Sequence, residues 1–100
     1  MNGCYSIVIM QSAQDDLLAG FWFYEQQQSG LGSFFLSNLI SDIDDLKITA
    51  GVHMSDKGVY RSLAKKFPYA IYYLRAERAV TLIAVLDTRR APTWITSRLG

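Results

Sequence analysis

The stretch YAIYYLRAERAVTLIAVL, residues 69–86, decides the fold. Residues 69–74 form a continuous apolar run bounded by charges, and residues 79–86 are the most apolar run in the chain. β-Branched and aromatic residues dominate both, which suits extended backbone. Between them Arg75-Ala76-Glu77-Arg78 reads as a polar turn. Two such runs about a short polar turn predict a β-hairpin. Both strands are hydrophobic on both faces, so they belong at the centre of a sheet, covered by another layer.

Working outward, residues 59–65 (VYRSLAK) alternate roughly between apolar and polar, as a strand with one wet face does. Lys66-Phe67-Pro68 marks a bend, and Pro68 fits only a strand start or edge. Residues 87–92 leave the sheet, and residues 94–99 form a short tail, helical or irregular. At the other end, residues 4–10 (CYSIVIM) read as a first strand. Ser12 is the expected N-cap of a helix over 13–28, with Asp15 and Asp16 in its first turn. Leu17, Leu18, Phe21, Trp22 and Tyr24 recur there at helical spacing. After the tight connector Gly30-Leu31-Gly32-Ser33, the residues Phe35, Leu36, Leu39, Ile40, Ile43 and Leu46 trace one apolar helical face. Asp42, Asp44 and Asp45 lie largely opposite. This second helix is expected over 32–48, ending before Gly51. So short a connector makes the helices an antiparallel hairpin. The expectation is one α+β domain over 1–100, ordered β-α-α-β-β-β, with a helical hairpin packed on a small, mainly antiparallel, twisted sheet.

Composition narrows the function classes. A chain of 100 residues, half of them hydrophobic, suits one folded domain. Cys4 is the one cysteine, so no intrachain disulfide forms, and it is expected as a buried structural thiol. Together with the single His53 it provides no metal-ligand spacing, and neither metal nor cofactor is expected. Gly30-Leu31-Gly32 lacks the third glycine of a dinucleotide fingerprint and follows a helix, so it reads as a turn. The pairs Asp15/Asp16 and Asp44/Asp45 read as solvated helix faces. No apolar run reaches the roughly 20 residues that span a bilayer, and no basic segment precedes the first strand. A cytoplasmic protein without membrane attachment is expected.

The net charge of +1 conceals an asymmetry. Residues 1–50 hold one base against six acids, a net of −5; residues 51–100 hold nine bases against three acids, a net of +6. A basic half points to an anionic partner. The bases Lys57, Arg61, Lys65, Lys66, Arg89, Arg90 and Arg98 are interleaved with Tyr60, Tyr69, Tyr72, Tyr73 and Trp94. Basic side chains track phosphates or carboxylates, and aromatic faces stack on bases or anchor partners. The expected target-binding or anion-binding set is Tyr60, Arg61, Lys65, Lys66, Arg89, Arg90 and Trp94. His53 is a loop or strand-edge histidine with the chemistry of a general base near neutral pH.

Seven segments, in order, carry a resemblance: GFWFYE (20–25), GLGSFF (30–35), DIDDL (42–46), AGVH (50–53), GVYRSL (58–63), KFPYAIYY (66–73) and AVLDTRRAP (84–92). Together they make the chain resemble the RelE/ParE superfamily of bacterial type II toxins, nearer to the ParE-like, plasmid-stabilisation members. The resemblance implies a toxin paired with a cognate antitoxin, and contact with operator DNA only through that antitoxin. It also implies one of two targets. ParE-like members poison DNA gyrase without chemistry of their own. RelE-like members cut mRNA on the ribosome, as endoribonucleases, with strand lysines, two arginines and a C-terminal tyrosine. Here Tyr60-Arg61 matches the motif of the first arginine, and Arg89 or Arg90 the second. Val52 and Met54 stand where the lysines would be, and no tyrosine follows Arg90. Two cations bind a phosphate but supply no acid and no base, and only His53 is left as a substitute base. The AVLDTRRAP ending favours the gyrase class. A degenerate member that only binds its antitoxin is the third alternative.

Overall fold

The computed structural model describes residues 4–100. Its elements are β1 (Ser6–Ile9), α1 (Gln11–Glu25), α2 (Leu31–Thr49), β2 (Met54–Asp56), β3 (Val59–Leu63), β4 (Tyr69–Ala76), β5 (Ala79–Asp87) and α3 (Pro92–Leu99). The five strands form one sheet in the order β1-β5-β4-β3-β2. β1 runs parallel to β5, and every other neighbour is antiparallel. The expected hairpin is therefore the sheet's centre, β4 and β5.

The helical hairpin covers one face. Leu17 and Tyr24 of α1 and Phe35, Leu39, Ile43 and Leu46 of α2 pack on Ile71, Tyr73, Val80, Leu82 and Val85. Burying each of the large aliphatic or aromatic side chains contributes roughly 1.5–3 kcal/mol. The second face of β4 and β5 is narrower. There Ala70, Tyr72, Ala84 and Leu86 meet Trp94, Ile95 and Leu99 of α3. The strands are apolar on both sides because helices lie on both. A register shift between Tyr72 and Tyr73 leaves Ile83 as an extra residue on β5.

The helix–helix turn is held by a side chain. The Glu25 carboxylate accepts the N–H groups of Gly30, at 3.1 Å, and Gly32, at 3.0 Å, capping the open N-terminus of α2. Gly32 is required by proximity, since a Cβ there would lie 2.6 Å from the Phe21 carbonyl oxygen.

Several local expectations are corrected. β1 begins at Ser6, and Cys4 is exposed rather than buried. Ser12 does not cap α1: Met10 holds that position, and the Ser12 hydroxyl donates to the Ile83 carbonyl at 2.8 Å. α1 ends at Glu25, three residues before the expected 28, because residues 26–30 form the turn. Ile40 is exposed, while Asp42 is buried and accepts the Lys65 N–H at 3.1 Å. Asp16 is also no solvated helix residue, as the site geometry shows. An unexpected strand, β2, forms a hairpin with β3 through Lys57 and Gly58, at φ 53° and 84°. Two successive positive φ values define the hairpin turn that matches strand twist, and a lysine at its first position conceals it in sequence. The β4–β5 turn shrinks to Glu77-Arg78, with Glu77 at φ 50°. The tail is a helix, started by Pro92 in its first turn.

Candidate target-binding face

Arg61 lies on β3 directly opposite Tyr72 of β4, with its Nε 3.3 Å from the Tyr72 hydroxyl. Tyr72 belongs to the face that α3 covers, so Arg61 projects on that side too. α3 reaches only the β5 end of this face. Around Arg61 the sheet is open: Met54, its partner on β2, is 85% exposed, and Leu63, two residues along β3, is 59% exposed. A half-exposed Leu74, two residues beyond Tyr72, extends the same surface. The result is a guanidinium that, among the described residues, has no carboxylate within ion-pair distance and is set among apolar side chains.

At the α3 end, Arg90 lies over the Trp94 ring, with Cζ 3.7 Å from its centroid, and Arg98 approaches the same ring at 5.6 Å. Arg98 also donates to Asp16 at 2.8 Å, and Asp16 accepts the Val85 N–H at 3.0 Å. Asp16 thus joins α1, β5 and α3, which explains why its side chain is only 11% exposed.

The remaining expected residues are placed elsewhere. Tyr60 points to the helix side, as strand alternation from Arg61 requires, and stacks on Tyr73 at 5.1 Å. Lys65 turns to Asp45 of α2 at 2.9 Å. Lys66 lies 5.7 Å from the Phe34 ring of the same helix. Arg89 is clamped on Asp87 through two side-chain hydrogen bonds, at 3.0 and 2.6 Å, beside Tyr24 and Tyr69. This pairing holds the Asp87 carboxyl below its ordinary pKa and raises that of Arg89. Burial, with the neighbouring Tyr24 adding to it, pushes the Tyr69 phenol up to about 12. The structure therefore groups Arg61 and Tyr72 on the open face and Arg90 with Trp94 beside α3. Tyr60, Lys65, Lys66 and Arg89 engage the helix side.

His53 also belongs to the helix side. Its Nδ1 is 2.6 Å from the Tyr73 hydroxyl, which accepts the Gly51 N–H at 3.0 Å. Burial lowers the His53 pKa and so favours the neutral ring, and the imidazole tautomer sets which partner donates in this contact. Arg75, which the sequence placed in a turn, completes this cluster. It donates to the Tyr5 hydroxyl at 2.9 Å, and its Cζ lies 5.8 Å from the Tyr60 ring. Tyr5 carried no sequence signal because its partner is 70 positions away. Among the described residues, no three of His, Cys, Asp and Glu converge as metal ligands, and no helix is long and apolar enough to cross a membrane.

No protein-family profile and no curated relative match the chain. Solved structures do. In fold the chain is similar to a chain of the chromosomal ParDE TA system from P. aeruginosa, which superposes with a TM-score of 0.77 at 12% identity, covering 86% of this chain and 98% of that one. A chain of the RelBE2 toxin–antitoxin complex from Mycobacterium tuberculosis superposes at 0.61 and 16% identity, covering 87% and 94%. Both overlays show the same α+β fold, and the one on the ParDE chain has the higher TM-score of these two.

Proposed function

We propose that this chain is the toxin of a type II toxin–antitoxin pair. It acts by gripping a target protein, DNA gyrase, and a cognate antitoxin neutralises it. The observation that carries this proposal is the surrounding of Arg61. Met54, Leu63 and Leu74 present apolar contact surface around one cation, above the buried Tyr72 ring, and Met and Arg are residue types enriched in protein interfaces. RNA cleavage by 2′-hydroxyl attack asks for a base and an acid beside the phosphate cations. The lone imidazole, His53, is engaged with Tyr73 on the other side of the sheet. The likeness to the ParDE chain and the AVLDTRRAP ending support gyrase over the ribosome as target.

A brief pulse of expression without antitoxin, with DNA and protein synthesis followed separately, tests this. The expected result is filamentation, a DNA-damage response and double-strand breaks that need gyrase. Arrest of translation first, with mRNA cut only on ribosomes, would establish the nuclease alternative. Harmless expression of folded protein would leave only a non-toxic, antitoxin-binding role.

A further inference from the structure

β1 pairs with β5 only as far as Leu82, so among the described residues the outer edge of β5 beyond it has no strand beside it. α1 covers the first part, with Ser12 on the Ile83 carbonyl and Asp16 on the Val85 N–H. Past Asp16 the edge opens into a cleft of about 380 Å³ between α1 and α3. Its size falls within the range of ligand-binding cavities, about 300–1,000 Å³. Ala19 and the half-exposed Phe23 form one wall, Trp94 and Arg98 the other, and residues 85–87 the floor.

The charges in this cleft are unbalanced. Asp16 is neutralised by Arg98 and Asp87 by Arg89. Arg90 is left over: among the described residues it has no carboxylate within ion-pair distance. Its guanidinium lies on the Trp94 face at 3.7 Å, a stacking contact that restricts its plane, and among the described residues it donates no side-chain hydrogen bond. A pre-set guanidinium accepts a carboxylate in bidentate geometry at little entropic cost. Val85 directs its N–H away from β4, so its carbonyl and the Asp87 N–H share the open edge and suit an extended main chain.

We infer that the α1–α3 cleft receives an extended peptide segment of a partner protein, in which an acidic side chain pairs with Arg90 and an adjacent apolar side chain fills the space between Phe23 and Trp94. The inference rests on the antitoxin proposal and makes the cleft one seat of that protein.

The test uses the full chain and, as probe, the purified protein encoded by a short reading frame found beside its gene and shown to suppress its toxicity. Binding is measured by calorimetry at several salt concentrations. Arg90→Glu is expected to weaken binding at least about 100-fold and flatten its salt dependence, and Phe23→Ala about 10-fold. Ile40→Ala, on an exposed part of α2, is expected to change nothing. All these side chains are exposed, so unfolding midpoints should match the parent. Benzoylphenylalanine placed at position 23 should crosslink to a partner stretch that joins an acidic to an apolar residue. Binding that ignores both cleft variants, or a crosslink to a stretch without acidic residues, overturns the cleft and leaves the antitoxin proposal standing. No binding by the parent chain overturns both.

Discussion

Asp16 receives the Arg98 guanidinium at 2.8 Å across 82 positions of sequence, and the same oxygen accepts the Val85 N–H at 3.0 Å. One carboxylate therefore ties the first helix, the central strand and the last helix together. Asp16→Ala leaves a strand-edge N–H and a half-covered guanidinium without acceptor. It should lower stability by about 1–3 kcal/mol in urea unfolding. Arg98→Ala should cost less, because Val85 keeps its partner. An Asp16→Ala chain as stable as the parent would show that the contact is not held in solution.

Gly32 is the second structural dependence. Alanine is the better helix former by about 1 kcal/mol. At this position its methyl would meet the Phe21 carbonyl at 2.6 Å and Glu25 Cβ at 2.9 Å. Gly32→Ala should therefore destabilise, by roughly 1–3 kcal/mol, as overpacking does. A stabilising effect would mean that the two helices stand further apart than described.

The pH dependence of stability should carry the mark of His53. Burial lowers its folded pKa, so the unfolded chain binds the proton more readily. The stability that the neutral ring contributes is complete above its unfolded pKa of about 6.5. It is lost as pH falls through that value toward the lower folded pKa. The thermal midpoint should drop between neutral pH and pH 5, and His53→Asn should remove that part of the slope. An unchanged slope would assign it to other groups.

The central hairpin, the helical hairpin and the overall class were legible because each is written in local periodicity. β2 was not, since its three residues are all exposed and its turn uses Lys57 where asparagine is the usual signal. The division of the cations was hidden for another reason. Arg61 and Lys65 are four residues apart, yet one stays on the open face and the other is drawn to Asp45. Arg89 and Arg90 are adjacent, but Asp87 captures only the first. Charge asymmetry between the halves counts the cations but does not show how the fold divides them between faces. Which cations remain available depends on acids that the fold brings to them.

Under the proposed function, a change at Arg61 should separate function from folding. Its side chain is exposed and its one hydrogen-bond partner, Tyr72, is held by packing. Arg61→Ala should abolish growth inhibition and leave the unfolding midpoint unchanged. Arg78→Ala, a charge of the same sign in the β4–β5 turn, should keep full toxicity. Equal loss in both variants would reduce the Arg61 effect to net charge.

The most direct measurement of the central claim, that the Arg61 face grips gyrase without cutting nucleic acid itself, is a reaction of purified chain, gyrase, ATP and supercoiled plasmid. After detergent and protease, linear DNA should accumulate with toxin concentration, and Arg61→Ala should prevent it. Folded parent chain that yields no linear DNA, yet cleaves mRNA on purified ribosomes, would contradict the account.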